Sequence, residues 1–229
     1  MPKHIGIVAC SAEGAALCYR TICLEASAYM GEHAHPEITM HTFPLSDYME
    51  PIRIDEWDGV TDLMLRSARK VVGAGADFLI CPDNTLHQVF DAVIAKSPAP
   101  WIHIADAVGE EARRRGFDKV GILGTKYLMT GPVYPQTLAR LDVECLIPGQ
   151  DDRERINDVI FRELVNGVFK GSARLFFNTV IKRLKERGCD AAVLGCTEIP
   201  LLVDADDSPL PVLDSTRLLA KAALRRALE

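Results

Sequence analysis

The feature that most constrains the fold of this chain is an internal repeat. The segment Gly75-Ala-Asp77-Phe-Leu-Ile-Cys-Pro-Asp83-Asn84 aligns with Gly188-Cys-Asp190-Ala-Ala-Val-Leu-Gly-Cys196-Thr197, which begins 113 positions later. Near the start of each half, Ile5–Cys10 aligns with Val120–Thr125 at an offset of 115. Because two similar offsets occur in the same order, the sequence predicts two structurally equivalent halves.

Each half alternates short β-branched apolar runs with longer segments of helical period, which predicts parallel sheets and an α/β fold. We expect two quasi-symmetric parallel-sheet α/β half-domains, residues 1–105 and 106–213, facing a shared cleft at their strand ends. A final helix over 214–229, introduced by the N-cap signature Asp214-Ser215-Thr216, is expected to pack back on the first half. The predicted strands are His4–Ala9, Phe78–Cys81, Trp101–Ile104, Lys119–Leu123, Val143–Ile147 and Ala191–Leu194.

The composition of the chain argues against several classes of binding partner. The 26 basic and 32 acidic residues give a net charge of −6, so no basic excess is present to hold nucleic acid or an anionic membrane surface. No apolar run approaches the roughly 18 residues that predict a membrane span, and the N-terminus is typical of a first strand rather than a signal peptide. The chain has no Cys-x-x-Cys pair, so its seven cysteines predict free thiols in a reducing cytoplasm. We expect five of them to be small buried hydrophobes: Cys10, Cys18, Cys23, Cys145 and Cys189.

The repeat places Asp83 in the position equivalent to Cys196, each shortly after a buried strand. A thiolate on one wall of a cleft and a second acid/base group on the other is the arrangement that proton transfer at a stereocentre requires. Backbone N–H groups at the strand-to-helix turns would bind a carboxylate and stabilise an enolate-like charge. The His33-Ala-His35 cluster lacks convergent partners, so an exposed loop is expected there and no metal site.

The segment Leu194-Gly-Cys196-Thr197-Glu198-Ile-Pro200 resembles the second signature of the aspartate/glutamate racemase family, the cofactor-independent amino-acid racemases. Asp83-Asn84-Thr85-Leu-His87 falls where that family usually has Cys-Asn-Thr-x-His. Further matches at Gly121–Met129 and Glu163–Lys170 extend the resemblance over nearly the whole chain. The resemblance implies a two-base mechanism without pyridoxal phosphate or another cofactor, and commonly a homodimer.

The repeat, the local sequence and the resemblance together suggest roles for individual residues. Cys196 would be the principal acid/base and Asp83 the opposing group, and His87 is expected behind the site rather than as a base. Lys170 would meet a distal carboxylate or be a solvated lysine at a helix start, and Arg53 would clamp a carboxylate from a mobile loop or lie on the surface. Glu198 would orient the substrate amine or cap the next turn. The expected contacts to the α-carboxylate and amino group come from Asn84, Thr85, Thr125 and Thr197, with a hydroxyl from Ser11.

Two departures from the family pattern affect the chemistry. Asp83 replaces the first family cysteine, and an unperturbed aspartate has a pKa of about 3.9 against about 8.5 for cysteine, so it is a much weaker base unless burial raises that pKa. The first loop, Ala9-Cys-Ser11-Ala-Glu13-Gly14, lacks the glycine-rich turn of the family and also the dinucleotide-binding pattern.

The sequence therefore predicts a cytoplasmic racemase-like enzyme acting on a small acidic or related carboxylate substrate. Two alternatives remain open. Cys196 could act alone, as the proton donor of a decarboxylase or the nucleophile of a cis–trans isomerase. The protein could also be a catalytically silent binder of amino acids or dicarboxylates.

Overall fold

The structure, a computed structural model, describes residues Met1–Glu229. The chain divides into two compact units. The first consists of Met1–Ile104 together with Leu219–Glu229, and the second of Ala105–Leu218. None of the helices combines the length and the apolar character needed to cross a bilayer.

The first unit is built on a parallel four-stranded sheet in the order β2-β1-β3-β4. Every residue of β1 is buried, as expected for a central parallel strand covered on both faces. In contrast, β2 is a partly exposed edge strand. The strands are β1 (Ile5–Ala9), β2 (Ile38–Thr42), β3 (Phe78–Ile80) and β4 (Trp101–Ile102).

Four helices and a 3₁₀ turn complete the connections of the first unit. The connection after β3 is a 3₁₀ turn over Thr85–Val89, which leads directly into the last of these helices. The helices are α1 (Ala12–Met30), α2 (Leu45–Arg53), α3 (Trp57–Gly73) and α4 (Phe90–Ile94).

The second unit repeats this plan with a parallel sheet in the order β6-β5-β7-β8. A 3₁₀ turn over Leu164–Asn166 precedes its longest helix. The strands are β5 (Lys119–Leu123), β6 (Glu144–Leu146), β7 (Ala191–Leu194) and β8 (Val212–Asp214). The helices are α5 (Ile104–Arg114), α6 (Lys126–Thr130), α7 (Val133–Ala139), α8 (Gln150–Arg162), α9 (Gly171–Glu186) and α10 (Ile199–Leu202).

The register of the two sheets follows the sequence repeat. In the first sheet Gly6 of β1 pairs with Leu79 of β3, and in the second sheet Gly121 of β5 pairs with Ala192 of β7. The same strand order and the equivalent pairing confirm the predicted α/β class with two quasi-symmetric parallel sheets.

The last helix, α11 (Ser215–Leu228), spans the boundary between the units. At its start, Ser215 Oγ donates a hydrogen bond to the carbonyl oxygen of Leu194 at 2.8 Å, and Asp214 accepts one from the Arg217 N–H at 3.0 Å. Farther along, its apolar face joins the core of the first unit beside Ile5 and Ile7. The helix residues in that core are Leu219, Ala220, Ala223 and Ala227.

Several predicted strand limits and burial states are wrong. The strand predicted over Trp101–Ile104 ends at Ile102, because fully buried Ile104 begins α5 instead. Cys23 and Cys145 are half-buried rather than buried. The edge strands β2 and β8 were not predicted. Smaller differences are that His4, Cys81, Val143 and Ile147 lie just outside their strands.

Candidate active site

In the second unit, the predicted catalytic segment follows the carboxyl end of β7. Gly195 donates its N–H to the Leu123 carbonyl of neighbouring β5 at 2.7 Å. A Cβ at Gly195 would come within 2.9 Å of that carbonyl oxygen and within 2.6 Å of the Leu128 side chain, so only glycine permits this approach. The chain then turns and places Cys196, which is 9% exposed, directly above the sheet.

A buried carboxylate organises this turn. Glu198 Oε2 accepts hydrogen bonds from Cys196 Sγ at 3.0 Å and from Thr197 Oγ1 at 2.8 Å. Its other oxygen, Oε1, is buried and has no hydrogen-bond partner in the protein. Because a buried polar atom is normally satisfied, Oε1 is suited to receive a donor from a bound molecule. On the adjacent strand end, buried Thr125 caps α6 by accepting the Leu128 N–H at 3.2 Å.

In the first unit, the equivalent position after β3 holds Asp83, and both of its oxygens are engaged. Oδ1 accepts the Leu86 N–H at 3.1 Å and thereby caps the 3₁₀ turn. Oδ2 accepts a hydrogen bond from Cys10 Sγ at 3.3 Å. Cys10 is the first residue after β1, and β1 pairs with β3, so adjacent strand ends bring the thiol and the carboxylate together.

Two further side chains enclose Asp83. Cys81 is fully buried, and its Sγ contacts the Asp83 carbonyl oxygen at 3.8 Å. Burial, reinforced by the charge of Asp83, raises the pKa of the Cys81 thiol well above its usual value. Tyr48 of α2 is also fully buried, and its hydroxyl has no hydrogen-bond partner. Burial first, and then the neighbouring titratable groups Cys81, Cys10 and Asp83, raise the pKa of the Tyr48 phenol, which therefore stays protonated.

His87 lies behind this strand end, in the position expected from the sequence. Its Nε2–H donates to the Cys81 carbonyl at 3.0 Å, and its ring stacks on Phe90 with centroids 5.1 Å apart. Burial, with a smaller contribution from neighbouring His103, holds the pKa of His87 well below its usual range. The imidazole is therefore a neutral structural donor at neutral pH.

Because His87 is neutral in the folded protein, we expect the protein to lose stability at acidic pH. Below the usual histidine pKa of about 6.5, the unfolded chain binds a proton at this position that the folded chain does not. The free energy of unfolding should therefore fall with decreasing pH, by at most about 1.4 kcal/mol per pH unit for this group. Urea unfolding between about pH 7.5 and about pH 5.5 measures the slope.

A pair of variants isolates the contribution of His87. The slope should become shallower in His87→Gln, whereas His33→Asn should keep the slope of the parent. His33 is exposed and has a positive φ of 63°, which asparagine tolerates. An equal slope in His87→Gln and the parent would contradict a neutral buried His87.

Of the remaining residues predicted to contact the substrate, some lie near the strand ends and others are exposed on helices. Asn84 and Thr85 are buried beside Asp83, and Ser11 directly precedes α1, after the adjacent strand end. Arg53 is exposed and is the last residue of α2, so it belongs to a helix rather than to a loop. Lys170 is exposed at the start of α9, where its ammonium group donates to Glu163 Oε1 at 3.0 Å.

The sequence did not identify Cys10 and Tyr48 as site residues. Cys10 was expected to be an inert core thiol, and its contact with Asp83 depends on the pairing of two strands separated by 73 positions. Tyr48 lies in an amphipathic helix, where the sequence pattern does not distinguish a core aromatic from a site hydroxyl. No group of three or more His, Cys, Asp or Glu side chains is placed to hold a metal ion.

Comparisons with known proteins agree with this architecture. The family model described as "Asp/Glu/Hydantoin racemase" matches residues 5–223. A candidate Asp/Glu racemase from Yersinia pestis is 32% identical, with a TM-score of 0.89, over 99% of this chain and 100% of that one. An aspartate racemase homologue from Pyrococcus horikoshii is 29% identical, with a TM-score of 0.85 and full coverage of both chains.

A curated relative is more distant. The broad specificity amino-acid racemase RacX of Bacillus subtilis is 21% identical over 191 residues, which are 83% of this chain and 81% of RacX. The family model covers nearly the whole chain, including both strand-end segments described above. The chain therefore belongs to the Asp/Glu/Hydantoin racemase family, and it is an isomerase.

Proposed function

We propose that the protein racemises a small amino acid, with acidic amino acids as the first candidates, by proton transfer at Cα without pyridoxal phosphate or metal. Cys196 is one acid/base group, and the strand end at Asp83 supplies the other. The observation that carries this proposal is the buried trio Cys196, Thr197 and Glu198, in which the thiol donates directly to a carboxylate.

The thiol–carboxylate pair suits the chemistry required. One acid/base group takes the proton from Cα, and the group on the opposite face returns a proton. A carboxylate beside the thiol disfavours a second negative charge there. Such a pair gives a more basic thiolate than an isolated cysteine would, which matches the weak acidity of an amino-acid Cα–H.

The surrounding polar groups support recognition of an amino acid. The unpartnered Glu198 Oε1 is a suitable acceptor for the substrate ammonium group. Side chains at the strand ends are suited to the α-carboxylate, together with the turn N–H groups. Arg53 and Lys170 are the candidate cations for a distal carboxylate. The proposed α-carboxylate and amine contacts are Ser11, Asn84, Thr85, Thr125 and Thr197.

We extend the proposal to assembly and location. The family resemblance supports a homodimer, which sedimentation of the purified protein tests. The seven free cysteines support a reducing cytoplasm as the working compartment. The net charge of −6 supports small-molecule substrates rather than nucleic acid or membrane partners.

Solvent exchange at Cα tests the reaction. The protein is incubated in D₂O with each enantiomer of aspartate, glutamate and a panel of neutral amino acids, as the similarity to a broad specificity racemase recommends. Loss of the Cα–H signal by NMR, with inversion on chiral chromatography, is the expected result. Release of carbon dioxide would instead identify a decarboxylase. Binding of an amino acid with neither exchange nor carbon dioxide would identify a silent binder and overturn the proposal.

A further inference from the structure

We propose that Cys10 is the second catalytic thiol, and that Asp83 is a positioning residue whose carboxylate accepts the hydrogen bond of that thiol. This inference rests on the proposed racemisation and assigns the group that acts from the first unit. It is carried by the hydrogen bond from Cys10 Sγ to Asp83 Oδ2 at 3.3 Å, formed where β1 and β3 end side by side.

Each unit then contains the same chemical pair. In the second unit Cys196 donates to Glu198 Oε2 at 3.0 Å, and in the first unit Cys10 donates to Asp83 Oδ2 at 3.3 Å. The two pairs have different origins in the chain. Cys196 and Glu198 come from one turn, whereas Cys10 and Asp83 come from two strand ends. A chain that has aspartate at the family cysteine position thus still places a thiol at that strand end.

Asp83 is poorly placed to act as the base itself. Its two oxygens already accept hydrogen bonds, from the Leu86 N–H and from the Cys10 thiol. A carboxylate is also a weaker base than a thiolate by about 4.6 pKa units in the unperturbed state. The acceptor role explains the contacts of Asp83, because a carboxylate that orients a thiol needs this geometry.

Cys81 is a worse candidate than Cys10 for this thiol. Cys81 is completely buried and its thiol is directed to the Asp83 backbone oxygen. Its pKa lies well above the usual value, chiefly through burial. Cys10 is 5% exposed, close to the 9% of Cys196, and its partner is a side-chain carboxylate.

An independent observation indicates that a ligand binds beside Cys10. The Tyr48 hydroxyl is fully buried and has no hydrogen-bond partner, and Cys10 and Asp83 are among the groups that raise the pKa of its phenol. An unsatisfied buried hydroxyl is costly unless a bound molecule completes its hydrogen bonding. Because the phenol stays protonated, it can donate to a substrate carboxylate next to the reacting thiol.

The proton balance closes without a co-reactant. Before reaction, Cys10 is a thiolate that has lost its proton to solvent, and Cys196 is a thiol. The Cα–H bond breaks, an S–H bond forms on Cys10, and the electron pair stays on Cα as an enolate-like charge. Cys196 gives its proton to the opposite face of Cα and becomes a thiolate. Exchange with water then resets the two pairs, and the reverse direction uses the same groups in exchanged roles.

The test follows Cα–H exchange and inversion separately for the two enantiomers. Cys10→Ala should lose inversion by roughly 10²-fold or more, yet retain exchange without inversion for the one enantiomer whose proton faces Cys196. Cys196→Ala should retain exchange only for the other enantiomer. Cys18→Ala is the matched control, because it removes a fully buried thiol of the same unit and should keep both activities.

A second measurement remains available if Cys10→Ala does not fold. Cys10→Ser preserves the side-chain size and should lose inversion in the same way. Independently, Asp83→Asn should move the pH profile of Cys10 alkylation to lower pH, because the neighbouring negative charge is gone. A purely structural Asp83 would leave that profile unchanged, and this result would overturn the inference.

The failures of the two proposals are distinguishable. If the unmodified protein exchanges and inverts amino acids while Cys10→Ala or Cys10→Ser does so equally well, Cys10 is not the second thiol and the proposed function stands. The same conclusion follows if the Cys10 and Cys196 variants retain exchange of the same enantiomer. If the unmodified protein shows no exchange with any amino acid, the proposed function is overturned, and the role of Cys10 with it.

Discussion

Replacing Cys196 with alanine is expected to reduce racemisation by roughly 10²- to 10⁴-fold, the range typical of losing a positioned acid/base group. The loss should appear in kcat more than in KM, because Thr197 and Glu198 remain to bind substrate. Chiral chromatography of the product, with each enantiomer supplied in turn, measures the effect.

Cys189→Ala is the matched control for this prediction. Cys189 belongs to the same unit and the same apolar core, and it is similarly buried, but it follows α9 rather than β7. Its replacement should leave kcat within a factor of about two, since it removes only a small core group. Full activity of Cys196→Ala would rule out a thiol mechanism at β7.

The second large effect is expected at Asp83. Asp83→Ala removes both the partner of the Cys10 thiol and the cap on the Leu86 N–H. Asp83→Asn keeps a side-chain oxygen that can accept the Leu86 N–H, but it removes the negative charge beside Cys10. We expect both variants to lose inversion by roughly 10²-fold, with Asp83→Asn keeping more of the stability. Because the two thiol–carboxylate pairs differ in their carboxylate residue and in their geometry, initial rates in the parent should differ between enantiomers, although the equilibrium constant cannot change.

An exposed carboxylate of the same unit provides the control. Asp91→Asn changes the net charge by the same amount but lies at the start of α4, away from the strand end, and should leave both initial rates unaltered. Urea unfolding of all three variants separates lost stability from lost chemistry. If Asp83→Ala converts both enantiomers at the parent rate, Asp83 is a bystander in the reaction.

Central strands were predictable because their burial leaves a clear sequence signal. Lys119–Leu123 and Ala191–Leu194 have the predicted limits, and both lie in the interior of the second sheet. The edge strands were missed for a physical reason. Ile38–Thr42 mixes polar and apolar residues because it is partly solvated, and Val212–Asp214 is too short to show a period.

The site was predictable where its residues are contiguous. The Cys196-Thr197-Glu198 turn is local, so its composition alone indicated polar chemistry at the end of a strand. The Cys10–Asp83 pair is not local, because it requires β1 and β3 to be neighbours in the correct register. The unpartnered Tyr48 hydroxyl depends on the placement of a whole helix, which side-chain pattern does not specify.

The position of α11 has a consequence for the order in which the protein is made. The apolar core around β1 includes four side chains from the end of the chain, Leu219, Ala220, Ala223 and Ala227. During synthesis, the residues of β1 must therefore wait with an incomplete core until Leu219 to Ala227 have been translated. The second unit, which is continuous from Ala105 to Leu218, has no such delay. The first unit is thus begun before the second unit and completed after it, and a chain that stalls before Leu219 would leave the apolar surface of β1 open to chaperones.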